Sequence, residues 1–217
     1  MASVNSPLVT YEELSPNNSG KRTREVDRIT PHCTAAQCDI ETLGHWFAQA
    51  GTKASSNYGI DRNGRIGLFV PEDCRSWCSS SNANDQRAVT IECSSASTAP
   101  NIIDPAAYSR LIELCVDICQ RHRKTQLLWI SDRATALKYE PRPEEMLLTV
   151  HRWFSATACP GIWLLDRMQQ LADTVTAMLT PKIYRVQVGA YCDRANAERR
   201  LQQLQAAGFD GFIVEGR

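Results

Sequence analysis

A run near the middle of the chain, His151-Arg152-Trp153-Phe154-Ser155-Ala156-Thr157-Ala158-Cys159-Pro160-Gly161, carries an imidazole and a thiol. A second imidazole, His32, stands far upstream in Ile29-Thr30-Pro31-His32-Cys33-Thr34. Two imidazoles and a thiolate are enough protein donors for a catalytic zinc, which keeps its fourth position for water or substrate. Both donor types are borderline to soft and favour zinc over magnesium or calcium. Pro160-Gly161 stops the preceding segment and presents the sulfur on a loop. Spacing alone does not single these residues out, because a His and a Cys so placed are more often a core imidazole and an inert buried thiol.

Distant donors need elements that bring them together. Asp27-Arg28-Ile29-Thr30 reads as a short strand ending at His32, and Arg87 to Cys93 as an apolar strand that delivers Glu92. Tyr58 to Val70 reads as two strands around Arg62-Asn63-Gly64, since Asn-Gly favours a tight hairpin turn. Gln126 to Ile130 is a further strand, and Met146 to Val150 leads into His151. Helical spacing covers Asp39 to Gln49, a segment opened by Pro105, and Gly161 to Met178. Arg133 to Glu145 reads as a proline-bearing loop, and Met1 to Lys21, rich in Ser, Asn and Pro, as a loosely ordered arm. Strands alternating with amphipathic helices give an α/β domain, with helices covering a central mixed β-sheet.

The chain has 217 residues, which suggests one domain of ordinary size plus something small. Its 24 basic and 24 acidic residues balance, so neither nucleic acid nor an anionic membrane is expected as the main partner. The first twenty residues are polar and no apolar run approaches a membrane span, so synthesis in a cytoplasm without a signal peptide is expected. Nine cysteines without a paired C-x-x-C set read as free thiols and core filler rather than a zinc cluster.

Taken together, Thr30-Pro31-His32-Cys33-Thr34, Ala88-Val89-Thr90-Ile91-Glu92-Cys93 and His151 to Gly161 resemble the zinc-dependent N-acetylmuramoyl-L-alanine amidases, the type 2 amidase family found among phage endolysins. The resemblance runs from about Arg28 to Leu179 and includes Ser55 to Gly64 and Val70 to Asp73. It implies peptidoglycan as substrate, a Zn2+ held by His32, His151 and Cys159, and Glu92 as general base. It also places Thr157 where a hydroxyl could steady an oxyanion, with loop ordering as the alternative. Trp77, Asn57 and Tyr58 fall where substrate contacts are expected, Trp77 being equally suited to core packing. Two departures stand out: Cys78 replaces a usual histidine, and Ser56 or Asn57 stands where relatives carry a catalytic Tyr or Glu. A muropeptide-binding module without activity, or a zinc peptidase acting within the stem peptide, remains open on the sequence. Action on the wall would then follow holin-type release or lysis.

Thr180-Pro181 breaks the pattern and divides a catalytic domain, 1–179, from a small β-α-β unit, 182–217. Lys182 to Tyr191 alternates, Asp193 can cap a helix, Gly208 can stop it, and Phe212-Ile213-Val214 closes the unit. This tail resembles one repeat of the SPOR domain, a family that binds peptidoglycan. The resemblance implies half of a two-repeat domain, and hence a possible homodimer in which each copy supplies one repeat.

Overall fold

The computed structural model describes residues 5–180 and 186–216, which fall into two compact units, Met1–Thr180 and Pro181–Arg217. The first unit holds nine strands among its described residues. They are β1 (Tyr11–Glu12), β2 (Asn18–Lys21), β3 (Arg28–Cys33), β4 (Tyr58–Ile60), β5 (Ile66–Leu68), β6 (Cys74–Ser76), β7 (Ala88–Cys93), β8 (Gln126–Leu128) and β9 (Glu145–Leu148). Its helices are α1 (Ile40–Ala48), α2 (Asn82–Asp85), α3 (Pro105–Arg121), α4 (Arg133–Lys138), α5 (Ile162–Leu165) and α6 (Met168–Leu179). The second unit contributes α7 (Arg194–Ala206). No helix among the described residues is long and apolar enough to cross a membrane.

Seven strands form one mixed sheet in the order β1-β5-β4-β7-β3-β9-β8, in which only the β4–β5 hairpin is antiparallel. Alternation along the two central strands decides what each face does. Ile29 on β3 and Val89, Ile91 and Cys93 on β7 join Leu111, Leu114, Ile118, Leu171 and Val175 of α3 and α6 in the main core. Thr30, His32, Thr90 and Glu92 occupy the intervening positions, so the opposite face carries a polar stripe. Parallel strands are usually apolar on both faces. Here one face is given over to chemistry. A smaller cluster, Ile40, Leu43, Phe47 and Phe69, packs α1 beside the stripe.

The structure departs from the sequence reading in four places. The N-terminal arm is ordered: β1 pairs with β5 and β2 with β6, while Ser15 and Asn17 are buried and hydrogen-bond the Phe47 carbonyl. Backbone pairing and polar side-chain bonds anchor it, and apolar periodicity does not register either. The loop from Arg133 contains α4, whose N-cap Asp132 accepts the Thr135 N–H at 2.8 Å. The final helix is two, α5 and α6, broken at Asp166-Arg167, where the Arg167 guanidinium sits 4.1 Å over the Trp163 ring. In the tail, residues 182–185 lie outside the described residues, and neither 186–191 nor Phe212-Ile213-Val214 forms a strand. A split β-α-β unit leaves a gap that another strand must fill, and no described residue of that unit supplies it.

Candidate active site

The register of β3 on β7 sets His32 directly against Glu92. His151 follows β9 on a 3-10 turn, His151–Trp153, and Cys159 lies in the loop beyond it. That loop is pinned by Gly161 at φ +81°, where an added Cβ would meet Asn101 Cβ at 2.7 Å and the Pro100 carbonyl at 3.0 Å. Only glycine fits there. Thr157 Oγ1 accepts the Cys159 N–H at 3.2 Å, fixing the turn that carries the sulfur.

These elements converge. Cys159 Sγ lies 3.3 Å from His32 Nδ1, and the His32 and His151 ring centroids are 5.0 Å apart. The donor atoms of His32, His151 and Cys159 all lie within 4.8 Å of one another. A tetrahedral zinc spaces nitrogen and sulfur donors by about 3.3 to 3.6 Å, so modest side-chain movement brings this set to coordinating distance. Glu92 Oε1 is 3.9 Å from His32 Nδ1 and 3.8 Å from Cys78 Sγ, which donates to it. Glu92 Oε2 and His32 Nε2 are buried without a hydrogen-bond partner.

Charge in this pocket is poorly solvated. Burial, helped by the neighbouring His151, pushes His32 down to about 3, and burial also lowers His151 against the opposing pull of Asp85. Both imidazoles are therefore neutral at working pH, as metal ligands must be. Burial and the nearby Cys33 push the Glu92 carboxyl up to about 8. The Cys159 thiol is raised by its hydrogen bond to Cys33 and by burial. A divalent cation is the charge that would turn both groups anionic.

The polar support around these groups was not legible in the sequence. Ser80 Oγ is 3.3 Å from His151 Nε2, on a loop held by Asp85, whose carboxylate accepts the Cys78 and Ser79 N–H groups at 3.1 Å each. The Asn84 amide bridges the Thr30 and Thr149 hydroxyls at 3.0 Å each, fixing β3 and the end of β9 beneath the site. The only sequence signal was Ser81, which caps α2; the surrounding Ser-Asn run otherwise reads as loop.

Of the expected substrate contacts, Trp77 is half-buried, lies outside both apolar clusters, and donates Nε1–H to Ser19 Oγ at 2.7 Å. Asn57 and Tyr58 are placed differently. Both are fully buried. The Asn57 amide is spent on Arg22, Thr90 and the Val70, Pro71 and Cys74 carbonyls. The Tyr58 hydroxyl donates to Glu72 at 2.6 Å and accepts the Ser6 N–H at 2.9 Å. Neither has a free polar atom for a ligand; they brace the sheet. His122 also serves this brace, its Nε2 lying 2.6 Å from Glu72 Oε1, while His45 is exposed on α1.

Comparison with known proteins gives two family matches: N-acetylmuramoyl-L-alanine amidase over residues 22–162, and the SPOR domain over residues 165–215. The SPOR match reaches back to α5 and α6, the latter packed in the main core through Met168, Leu171, Ala172 and Val175. No curated protein matches the chain. Among solved structures, a mutant endolysin from Bacillus subtilis is similar at a TM-score of 0.55 and 16% identity, covering 76% of this chain and 97% of that one. The N-acetylmuramoyl-L-alanine amidase LysCS of Clostridium intestinale aligns at a TM-score of 0.51 and 16% identity, over 77% and 97% of the two chains. The Staphylococcus aureus hydrolase AmiA, solved with its ligand, aligns at 0.51 and 16%, over 79% and 83%. At such identities these likenesses speak for the fold.

Proposed function

The chain belongs to the N-acetylmuramoyl-L-alanine amidase family, and we propose that it hydrolyses the bond between N-acetylmuramic acid and the L-alanine of the stem peptide with a zinc held by His32, His151 and Cys159. Peptidoglycan hydrolysis is the family's activity; the residue roles are our own reading. What supports them is the convergence of three neutral-nitrogen and sulfur donors beside one carboxylate at the ends of the central strands.

When bound, zinc supplies a water acidified to a pKa of about 7 and a Lewis acid for the scissile carbonyl. The Glu92 carboxylate takes the proton of the attacking water and returns it to the leaving nitrogen. Cys78 holds Oε1, which leaves Oε2 for that transfer. Thr157 orders the Cys159 loop through its oxygen and keeps its own proton to donate toward the developing oxyanion. Trp77 offers an indole face to sugar or to apolar stem-peptide surface.

Digestion of purified sacculi is expected to release stem peptides with free L-alanine amino termini and to leave intact lactyl groups on the glycan, read by mass spectrometry. New termini within the stem would replace the bond assignment. No release in the presence of zinc would leave a binding module.

The tail adds an interaction with the wall of the kind the SPOR family makes. Its apolar residues are open to solvent, Val186 being 86% and Phe212 76% exposed. A repeat that buries so little cannot hold itself together, and a second copy of the chain supplies the missing half. Light scattering on the full chain is therefore expected to give a dimer mass, and on residues 1–180 a monomer mass. Monomers in both cases would remove the dimer. Access to the wall is proposed to follow holin-type release or lysis.

A further inference from the structure

Away from the donor cluster, the edge of the sheet carries a groove that none of the roles above uses. It encloses about 320 Å³ between β8 and α6, and its lining includes Trp129, Gln126, Gln169, Asp173 and Thr176. That volume is at the lower end for small-ligand sites. Trp129 is the groove's aromatic wall and is half-buried. Its ring lies flat on Trp153, with centroids 5.1 Å apart and planes only 6° from parallel. Trp153 is core, 7% exposed, so the stack holds Trp129 as a rigid platform.

The polar side of the groove is a set of planar hydrogen-bonding groups. Gln169 donates to Asp173 at 2.9 Å on the exposed surface of α6, which aligns an amide and a carboxylate side by side. The Gln126 side chain makes no hydrogen bond among the described residues. Thr176 is already committed, exchanging hydrogen bonds with the Leu127 N–H at 2.9 Å and carbonyl at 3.1 Å, and so seals the free backbone of this edge strand. An incoming strand finds no backbone partner at Leu127. What is offered instead is one fixed aromatic face, two amides and a carboxylate.

We propose that this groove is a glycan-binding subsite that takes an N-acetylhexosamine unit of the polysaccharide strand. The indole covers the apolar face of a pyranose ring, and Gln126, Gln169 and Asp173 exchange hydrogen bonds with its hydroxyl and acetamido groups. The assignment rests on the peptidoglycan reading for the choice of sugar. Its position also fits a polymer, because Trp153 follows His151 on the same 3-10 turn. A strand with one residue at the donor cluster can thus run along the rim of the sheet to its edge.

Chitotetraose, the β-1,4-linked tetramer of N-acetylglucosamine, tests this on the full chain freed of metal by chelation. No tryptophan follows Trp163 in the sequence, so a change in tryptophan fluorescence reports the first unit and not the tail. Saturable binding is expected, weakened about tenfold by Trp129→Ala. The double variant Gln169→Ala/Asp173→Ala alters only exposed α6 positions, so its fold is retained, and it too should weaken binding severalfold. Equal binding by wild type and double variant, or no saturable binding by wild type, overturns the subsite. Wall digestion by wild type reloaded with zinc separates the two readings: muropeptide release alongside tetramer binding that the double variant leaves unaltered removes the groove alone, and groove-dependent binding without release by the zinc-loaded chain removes the amidase alone.

Discussion

Replacing Glu92 with glutamine is expected to leave zinc bound and to slow wall hydrolysis by about 10²- to 10⁴-fold, the usual contribution of a positioned general base. Glutamine has the same shape and keeps an oxygen for the Cys78 S–H, which is 3.8 Å from Oε1 in the structure. It cannot accept a proton from water. Ser56 and Asn57 do not stand in for it: both are fully buried, and the Asn57 amide is held by surrounding backbone and side-chain groups. Turbidity loss on purified walls, paired with zinc quantification on the same samples, gives both readouts. Near-normal lysis by a zinc-loaded variant would mean that another group takes the proton.

The second large effect is expected at Cys159. Removing its thiolate with Cys159→Ala leaves two imidazoles, and zinc affinity should fall by more than about 100-fold, since changes one shell further out already cost about 10- to 100-fold. Hydrolysis disappears with the metal. The same thiol sets the pH dependence of binding. Its hydrogen bond to Cys33 and its burial raise it in the metal-free chain, whereas His32 and His151 are lowered and uncharged at neutral pH. Zinc must therefore displace a proton from the thiol pair, and affinity is expected to weaken as pH falls, by up to about tenfold per unit. Competition with a chromophoric chelator across pH measures this. A flat profile would mean that no thiol proton is released.

Much of this was legible because the central strands are written in a period of two. Val89, Ile91 and Cys93 against Thr90 and Glu92 announce one core face and one polar face before any coordinates, and the Asn63-Gly64 turn announces the hairpin beside them. The partnership of His32 with Cys159 was not in the spacing. It is made by β9 running parallel to β3 and by a loop that Gly161 folds back, facts of topology that a linear pattern does not contain. Polar anchoring was equally hidden. Asn17, Asn84 and Asp85 look like loop residues, yet each is buried with its hydrogen bonds closed: Asn17 and Asn84 on a carbonyl and a hydroxyl far along the chain, Asp85 on the backbone of its own loop. Asn57 and Tyr58 illustrate the converse error, in which a resemblance puts residues at the substrate and the register turns them into the frame. Among the described residues of the tail, 186–191 and Phe212-Ile213-Val214 form no strand for a third reason. Alternation specifies a strand only where a neighbour exists to pair with it.

The proposed hydrolysis depends on one ion that two imidazole nitrogens and one sulfur would hold. X-ray absorption at the zinc edge of the full chain loaded with one equivalent of zinc tests this directly. The expected first coordination sphere has a single sulfur at about 2.3 Å and nitrogen or oxygen donors at about 2.0 to 2.2 Å, with the sulfur lost in Cys159→Ser. A sphere without sulfur, or one whose sulfur survives that substitution, would contradict it.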